Sequence, residues 1–333
     1  MRKIILVFCI VFLLNSCEKK VHNISFYHWK TNAEFTPTIS EVLKSSKTKK
    51  IYLHYFDIEN RNSVNEYGEN IFPTYVVQNI DKKYNDFEII PTVYISNSVL
   101  LNKNLVVQKL AEKVEKLINQ INLTHFKSEP TEIQIDCDWT QSTKNTYFEL
   151  LEILEKKYEV SATIRLHQIK FQEKTGVPPL KKGTLMLYNV GDLKNSKQNS
   201  ILESNIVDQY IKSSTKYPLE LSVALPLFSQ TVIFNNDNNI KLSSFTEKTF
   251  LDSDLHFKAI DKNLYEVVQD TLFKGFYLSE GFQLKLEESL EKEIIESYKI
   301  VKNSKLKTEE IIFYHLEDES LNKININDLI KKL

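Results

Sequence analysis

Two aspartates two residues apart close the segment Thr131-Glu-Ile-Gln-Ile-Asp-Cys-Asp-Trp-Thr140, and that spacing invites chemistry. Ile133 and Ile135 alternate with polar residues as on a strand, where residues two apart share a face. Asp136 and Asp138 are therefore expected side by side, where two carboxylates repel and at least one pKa rises. Of the two, Asp138 is expected to be the raised acid. Asp136 is expected to be the more buried, with Arg165 as its counter-ion. Trp139 next to them offers a flat apolar face of the kind a sugar ring stacks on. The competing reading is structural, with both carboxylates accepting from neighbouring loop N–H groups. Cys137, between them on the opposite strand face, reads as a small buried filler.

Strands and helices alternate around this segment. Strands are expected at Ile24–Trp29, Lys50–Asp57, Glu88–Ile95, the aspartate segment, Val160–Gln168, Thr184–Asn189, Leu219–Pro226 and Ile311–Leu316. Helices are expected at Ile39–Leu43, Leu105–Ile121, Lys144–Lys157, Ile201–Ile211 and Ile324–Leu333, where apolar residues recur at helical spacing. Eight strands interleaved with helices are the rhythm of an α/β (β/α)8 TIM barrel. The competing open doubly wound sheet often carries a glycine-rich first turn, and none is present. The rhythm breaks between Phe228 and Lys305, which reads as a long insertion after strand 7 followed by an outer helix from Leu286 to Val301. Pro91 inside the third strand is awkward for a central position.

Functional side chains of such a barrel sit at the C-terminal ends of its strands. Those ends supply Tyr27, His28 and Trp29; His54, Tyr55 and Asp57; Tyr94; Asp136, Asp138 and Trp139; Arg165, His167 and Gln168; Tyr188, Asn189 and Asp192; and His315, Glu317 and Asp318. Aromatic faces mixed with acids and amides suit a carbohydrate, whose rings stack while its hydroxyls hydrogen-bond. Tyr27, Trp29, His54, Trp139, Arg165, His167, Tyr188 and Asn189 are the expected substrate contacts. Asp136, Asp138 and Glu317 are the expected catalytic carboxyls, with Glu280 an alternative partner for Asp138. A carboxyl pair cleaves a glycoside at a separation of about 5–5.5 Å with retention or about 6.5–9.5 Å with inversion. A lone strand histidine is more often structural, and no helical His-x-x-x-His spacing points to zinc. No metal or cofactor is expected.

Ile135-Asp-Cys-Asp-Trp-Thr140 and Met186-Leu-Tyr-Asn189 resemble two motifs of the chitinase-type (family 18) glycoside hydrolases, Asp-x-x-Asp-x-Asp-x-Glu and Met-x-Tyr-Asp. The resemblance places Asp136 and Asp138 at the inner aspartate positions, and Tyr188 where that family's tyrosine contacts the sugar's acetamido group. It also marks departures. Ile133 replaces the first aspartate, Asn189 replaces another, and Thr140 stands where the catalytic acid should be. A threonine does not protonate a glycosidic oxygen at neutral pH, so the family's substrate-assisted reaction is not expected to run unchanged. The same strand pair is similar to a group of bacterial TIM-barrel lipoproteins, a resemblance that names no activity.

The N-terminus supports an envelope address. Met1-Arg2-Lys3, an apolar run from Ile4 to Leu14 and then Asn15-Ser16-Cys17 read as a secretory signal, too short to span a bilayer. Leu14-Asn15-Ser16-Cys17 resembles the lipobox of bacterial lipoproteins. That resemblance implies a signal peptide over 1–16, a lipidated tether over 17–23 with Cys17 acylated, and a barrel over 24–333. The implied location is the bacterial envelope membrane, on the periplasmic or surface face of the outer membrane. The alternative is a cleaved soluble protein with an incidental cysteine. With Cys9 in the signal and Cys17 acylated, Cys137 is left without a disulfide partner. A net charge of −1 with dispersed basic residues leaves no footprint for nucleic acid. Six glycines, none clustered, exclude a glycine-rich phosphate loop. The expected partners are a glycan and, through the anchor, a membrane. Two functions compete, a glycoside hydrolase with a rearranged acid pair and a catalytically silent barrel that binds a glycan or protein.

Overall fold

The computed structural model describes residues 23–61, 63, 68–237 and 239–333. The signal segment, the lipobox and Cys17 lie outside the described residues. Eight parallel strands form the barrel: β1 (Asn23–His28), β2 (Lys50–Asn60), β3 (Glu88–Ile95), β4 (Glu132–Asp136), β5 (Glu159–Ile164), β6 (Lys182–Met186), β7 (Glu220–Pro226) and β8 (Lys307–Tyr314). Each pairs with its neighbours in chain order, and β1 closes the circle by pairing with both β2 and β8. The (β/α)8 barrel expected from the strand rhythm is therefore the observed fold.

Strand parity sorts the side chains. In β4, Ile133 and Ile135 point outward into the main hydrophobic core, packed against helices such as Val107–His125 and Lys144–Glu155. Gln134 and Asp136 point inward. The Gln134 amide carbonyl accepts from Tyr27 Oη at 2.5 Å, and its NH₂ donates to Thr184 Oγ1 at 3.0 Å and Ser161 Oγ at 3.3 Å. This buried network is fully partnered and fixes the barrel interior. Above it, Tyr27, Met186, Tyr188, Ala224 and Ile312 form a separate apolar cluster, with Trp29, Phe228 and Tyr314 packed against it.

Three local expectations are corrected. The fifth strand ends at Ile164, because the Arg165 N–H donates to the Gln168 side-chain oxygen at 2.7 Å and opens a short helix, Leu166–Lys170. His167 and Gln168 thus leave the strand. Leu286 belongs to a strand, Gln283–Glu288, and the outer helix starts at Glu291. The alternation Leu284, Leu286 obeys the strand period of two. Pro91 does lie in a central strand, and its missing N–H is tolerated because β3 pairs with β4 only from Thr92 onward.

Between β7 and the helix Glu291–Lys302 the chain builds a five-stranded antiparallel sheet and a two-stranded hairpin. Ile233, Tyr265, Val267, Leu284 and Leu286 give this sheet its own core. On the opposite parity, Lys285 and Glu287 are buried as an ion pair at 2.8 Å. Lys285 Nζ donates to the carbonyls of Asn195 at 2.9 Å and Gln198 at 3.1 Å, and Glu287 accepts from the Ser200 N–H, the Ser200 hydroxyl and Gln230. The pair fastens the loop after β6 to the sheet. No helix among the described residues is long and apolar enough to cross a membrane.

Candidate functional site

The C-terminal mouth of the barrel has an aromatic floor. Tyr188 stacks on Tyr314 with centroids 4.7 Å apart, and Phe228 meets Tyr314 edge-on at 5.5 Å. Trp29 lies 5.9 Å from Tyr314 and 4.7 Å from His54. Trp29 is only half-buried, so part of its indole remains free to stack on a ligand. A cavity of about 450 Å³ opens beside this floor, lined by Asn189, Ser200, Phe228, Gln230, Tyr314, His315 and Glu317. The second sheet supplies the Gln230 side of the cavity, which is why the Lys285–Glu287 pair matters to the site.

Charges ring the floor, and their partners define what they can do. Arg165 grips Asp138 with two N–H groups, Nε to Oδ1 at 2.6 Å and Nη2 to Oδ2 at 3.2 Å. Across the mouth, Glu317 accepts from His315 at 3.0 Å, Lys30 at 2.5 Å and the Ser320 hydroxyl at 3.0 Å. Burial alone would raise Glu317, but its bonds and charges with His315 and Lys30 prevail and hold it at about 2. Glu317 is thus a fixed carboxylate and no proton donor at neutral pH. His54 Nε2 bonds Asp57 at 2.7 Å. His28 is buried, which together with the nearby charges of His315 and Lys30 lowers it to about 3.

Asp136 differs from these. It is buried, 6% exposed, and accepts from the Thr163 hydroxyl at 2.6 Å. Desolvation pushes it up to about 6, against the opposing pull of Arg165 and the Thr163 bond. Because the folded-state value exceeds the ordinary 3.8, folding favours the protonated form. This group supports stability below about pH 4, and the support is lost as pH rises through about 6. Asp136→Asn should therefore stabilise the protein by about 2–3 kcal/mol near pH 8 and change little near pH 4, in paired urea melts. A destabilised Asn variant near pH 8 would refute the assignment.

The structure brings Asp136, Asp138, Arg165 and Tyr188 together, with Arg165 Nη1 also 3.5 Å from the Tyr188 carbonyl. It corrects four expectations. Trp139 is fully buried, stacked on Tyr147 with its Nε1–H donating to the Thr175 carbonyl, so it is no sugar platform. The direct partner of Arg165 is Asp138 rather than Asp136. Burial raises the Asp136 carboxyl, whereas Asp138 lies half-exposed in a bidentate ion pair with Arg165. Asp136→Asn is accordingly expected to stabilise rather than to break a buried pair. His167 is exposed on its short helix, Asn189 borders the cavity, and Tyr27 lies beneath the floor with its hydroxyl tied to Gln134. Thr140 forms the turn into the next helix, and Glu280 is exposed in a turn outside the cavity lining. Tyr314, Lys30, Phe228 and Thr163 were not singled out by sequence. The inward parity of Ile312 and Tyr314 on β8 was the signal available for one of them. Among the described residues, no three His, Cys, Asp or Glu side chains converge as metal ligands.

No family model matches the chain, and no curated protein matches it in sequence. Solved structures do match. Catalytic domain 2 of the Ostrinia furnacalis Group II chitinase is similar at 10% identity, covering 94% of this chain and 95% of that one, with a TM-score of 0.49. A chitinase from Rhizomucor miehei is similar at 9% identity, covering 92% and 99%, with a TM-score of 0.45. A xylanase-α-amylase inhibitor protein in complex with trehalose is similar at 8% identity, covering 93% and 97%, with a TM-score of 0.41. At such identities the chemistry of this mouth has to be argued from its own residues.

Proposed function

We propose that this chain is an envelope-anchored lipoprotein whose barrel mouth binds a glycan without cleaving it through a carboxyl pair. One observation carries this reading. Of the three expected catalytic carboxyls, Asp138 is engaged by Arg165 and Glu317 by Lys30 and His315, which leaves Asp136 alone, and Glu280 lies outside the cavity lining. Cleavage needs one protonated and one free ionised carboxyl flanking the bond. Binding needs only the aromatic floor and fixed polar groups around it, which this mouth has. Trp29 is the ring-stacking face, and Asn189, Gln230 and the outward edges of Arg165 and Glu317 are the hydroxyl partners.

The test is a glycan panel read for binding by calorimetry and for cleavage by reducing-end release. Trp29→Ala should weaken binding at least tenfold, in line with about 1.5 kcal/mol for a lost ring stack, with the melting temperature little changed. Cleavage of any glycan in the panel would overturn the silent mouth. A second reading then takes over, and Asp136 favours it. A carboxyl held at about 6 keeps enough protons near neutrality to serve as a general acid. On that reading Asp136→Asn abolishes cleavage and Asp138→Asn weakens it by freeing Arg165.

The anchor is proposed from Leu14-Asn15-Ser16-Cys17. Several acyl chains at about 0.8 kcal/mol per buried methylene hold a protein firmly to a bilayer. Cys17→Ala should move the protein from the membrane to the soluble fraction. Mass spectrometry finding an unmodified N-terminus at any residue other than Cys17 would end this part of the proposal.

A further inference from the structure

We infer that the N-terminal face of the barrel rests on the anionic headgroups of the anchoring bilayer, so that the glycan mouth points away from it. This rests on the lipid anchor and the mouth site proposed above, and it narrows the ligand those proposals leave open. Two independent observations lead to it.

The first is the tether. β1 begins at Asn23, on the face opposite the mouth, where Asn23 pairs with Glu310 near the start of β8. Only six steps separate Cys17 from Asn23 in the sequence. A fully extended chain covers at most about 3.6 Å per residue, so the lipid attachment lies within about 20 Å of that face. The mouth lies a further strand length out, about 20 Å for a six-residue strand.

The second is charge. Each connection leading into β2 to β8 carries an exposed lysine: Lys49, Lys83, Lys127, Lys157, Lys181, Lys216 and Lys305. The acids on this face are drawn into pairs or hydrogen bonds. Glu159 pairs with Lys182, Glu88 and Glu132 pair with Lys50, and Glu310 accepts from Ser25, Tyr52 and Ser222. Asp86, Glu129, Glu155, Glu220 and Glu309 remain and moderate the field. The mouth has no such ring: its acids Asp57, Asp138 and Glu317 are bonded to His54, Arg165 and Lys30, and Asp318 accepts from the Thr36 hydroxyl. A lysine ring within reach of an anionic surface is attracted to it over about a Debye length, while a mouth whose charges are paired gains no comparable attraction. Tether and charge select the same orientation.

The consequence for the ligand is specific. A mouth turned outward reaches a polymeric glycan or the glycan of a facing surface, and not a glycolipid of its own leaflet.

The experiment uses the full lipidated chain in vesicles of phosphatidylethanolamine and phosphatidylglycerol carrying a headgroup-linked quencher. Lys181→Cys, just before β6, and Lys194→Cys, in the loop after it, each take a fluorophore, since Cys137 is buried and unreactive. The Lys181 label should be quenched several-fold more than the Lys194 label. Equal quenching, or the reverse, would overturn the orientation. Mass spectrometry of the same sample separates the two failures. Unacylated Cys17 refutes the anchor and the inference together, whereas acylated Cys17 with the wrong quenching refutes the inference alone. The lysine ring is tested on the Cys17→Ala chain, which should prefer phosphatidylglycerol over phosphatidylcholine vesicles. Lys49→Glu/Lys157→Glu/Lys216→Glu should lower that partitioning at least tenfold. Unchanged partitioning would remove the charge argument.

Discussion

Trp139→Ala should unfold with about 3–5 kcal/mol less stability than the parent chain, the range for emptying a fully buried tryptophan site. Its ring has no exposed surface, stacks on Tyr147 at 5.1 Å and touches Phe148 edge-on at 6.0 Å. The indole N–H would also vanish from the Thr175 carbonyl, leaving a buried acceptor unpaired. Urea melts give the stability, and calorimetry below the transition gives glycan affinity. The expected pattern is large destabilisation with near-parental affinity in the folded fraction. A stable variant that no longer binds would instead restore Trp139 as the stacking platform and displace Trp29.

Lys285→Met should cost a similar amount, about 3–5 kcal/mol, because it strands Glu287 as a buried charge without its cation. Both side chains are under 5% exposed, so water offers little compensation. The carbonyls of Asn195 and Gln198 lose their donor as well, and the loop after β6 should loosen. Lys285→Met/Glu287→Gln should recover most of the loss, since a glutamine oxygen still accepts from the Ser200 N–H while no charge remains. Denaturant melts measure the stabilities, and amide exchange over residues 191–200 reports the loop. If the double variant is no more stable than the single one, the cost lies in the loop carbonyls and not in the stranded carboxylate. Because Ser200 and Gln230 border the cavity, glycan affinity should fall with the single variant and return with the double.

Much of this molecule was legible from residue order alone. The barrel followed from eight strand-like runs separated by helical spacing, since both periods are local consequences of backbone geometry. The placement of Asp136 and Asp138 side by side near one strand end was legible for the same reason. Tertiary structure decided the partnerships. Whether Arg165 binds Asp136 or Asp138 depended on a strand ending at Ile164 and on the Gln168 side chain capping the turn, neither of which a period reveals. Trp139 lies next to the aspartates in sequence, yet the chain turns at the end of β4 and drops the indole among the outer helices. The raised proton affinity of Asp136 comes from its burial, which depends on where the rest of the barrel closes over it. Local spacing thus fixed the barrel strands and their order. Charge states and ligand-facing surfaces were set by contacts between residues far apart in the chain, because desolvation and ion pairing depend on distance in space.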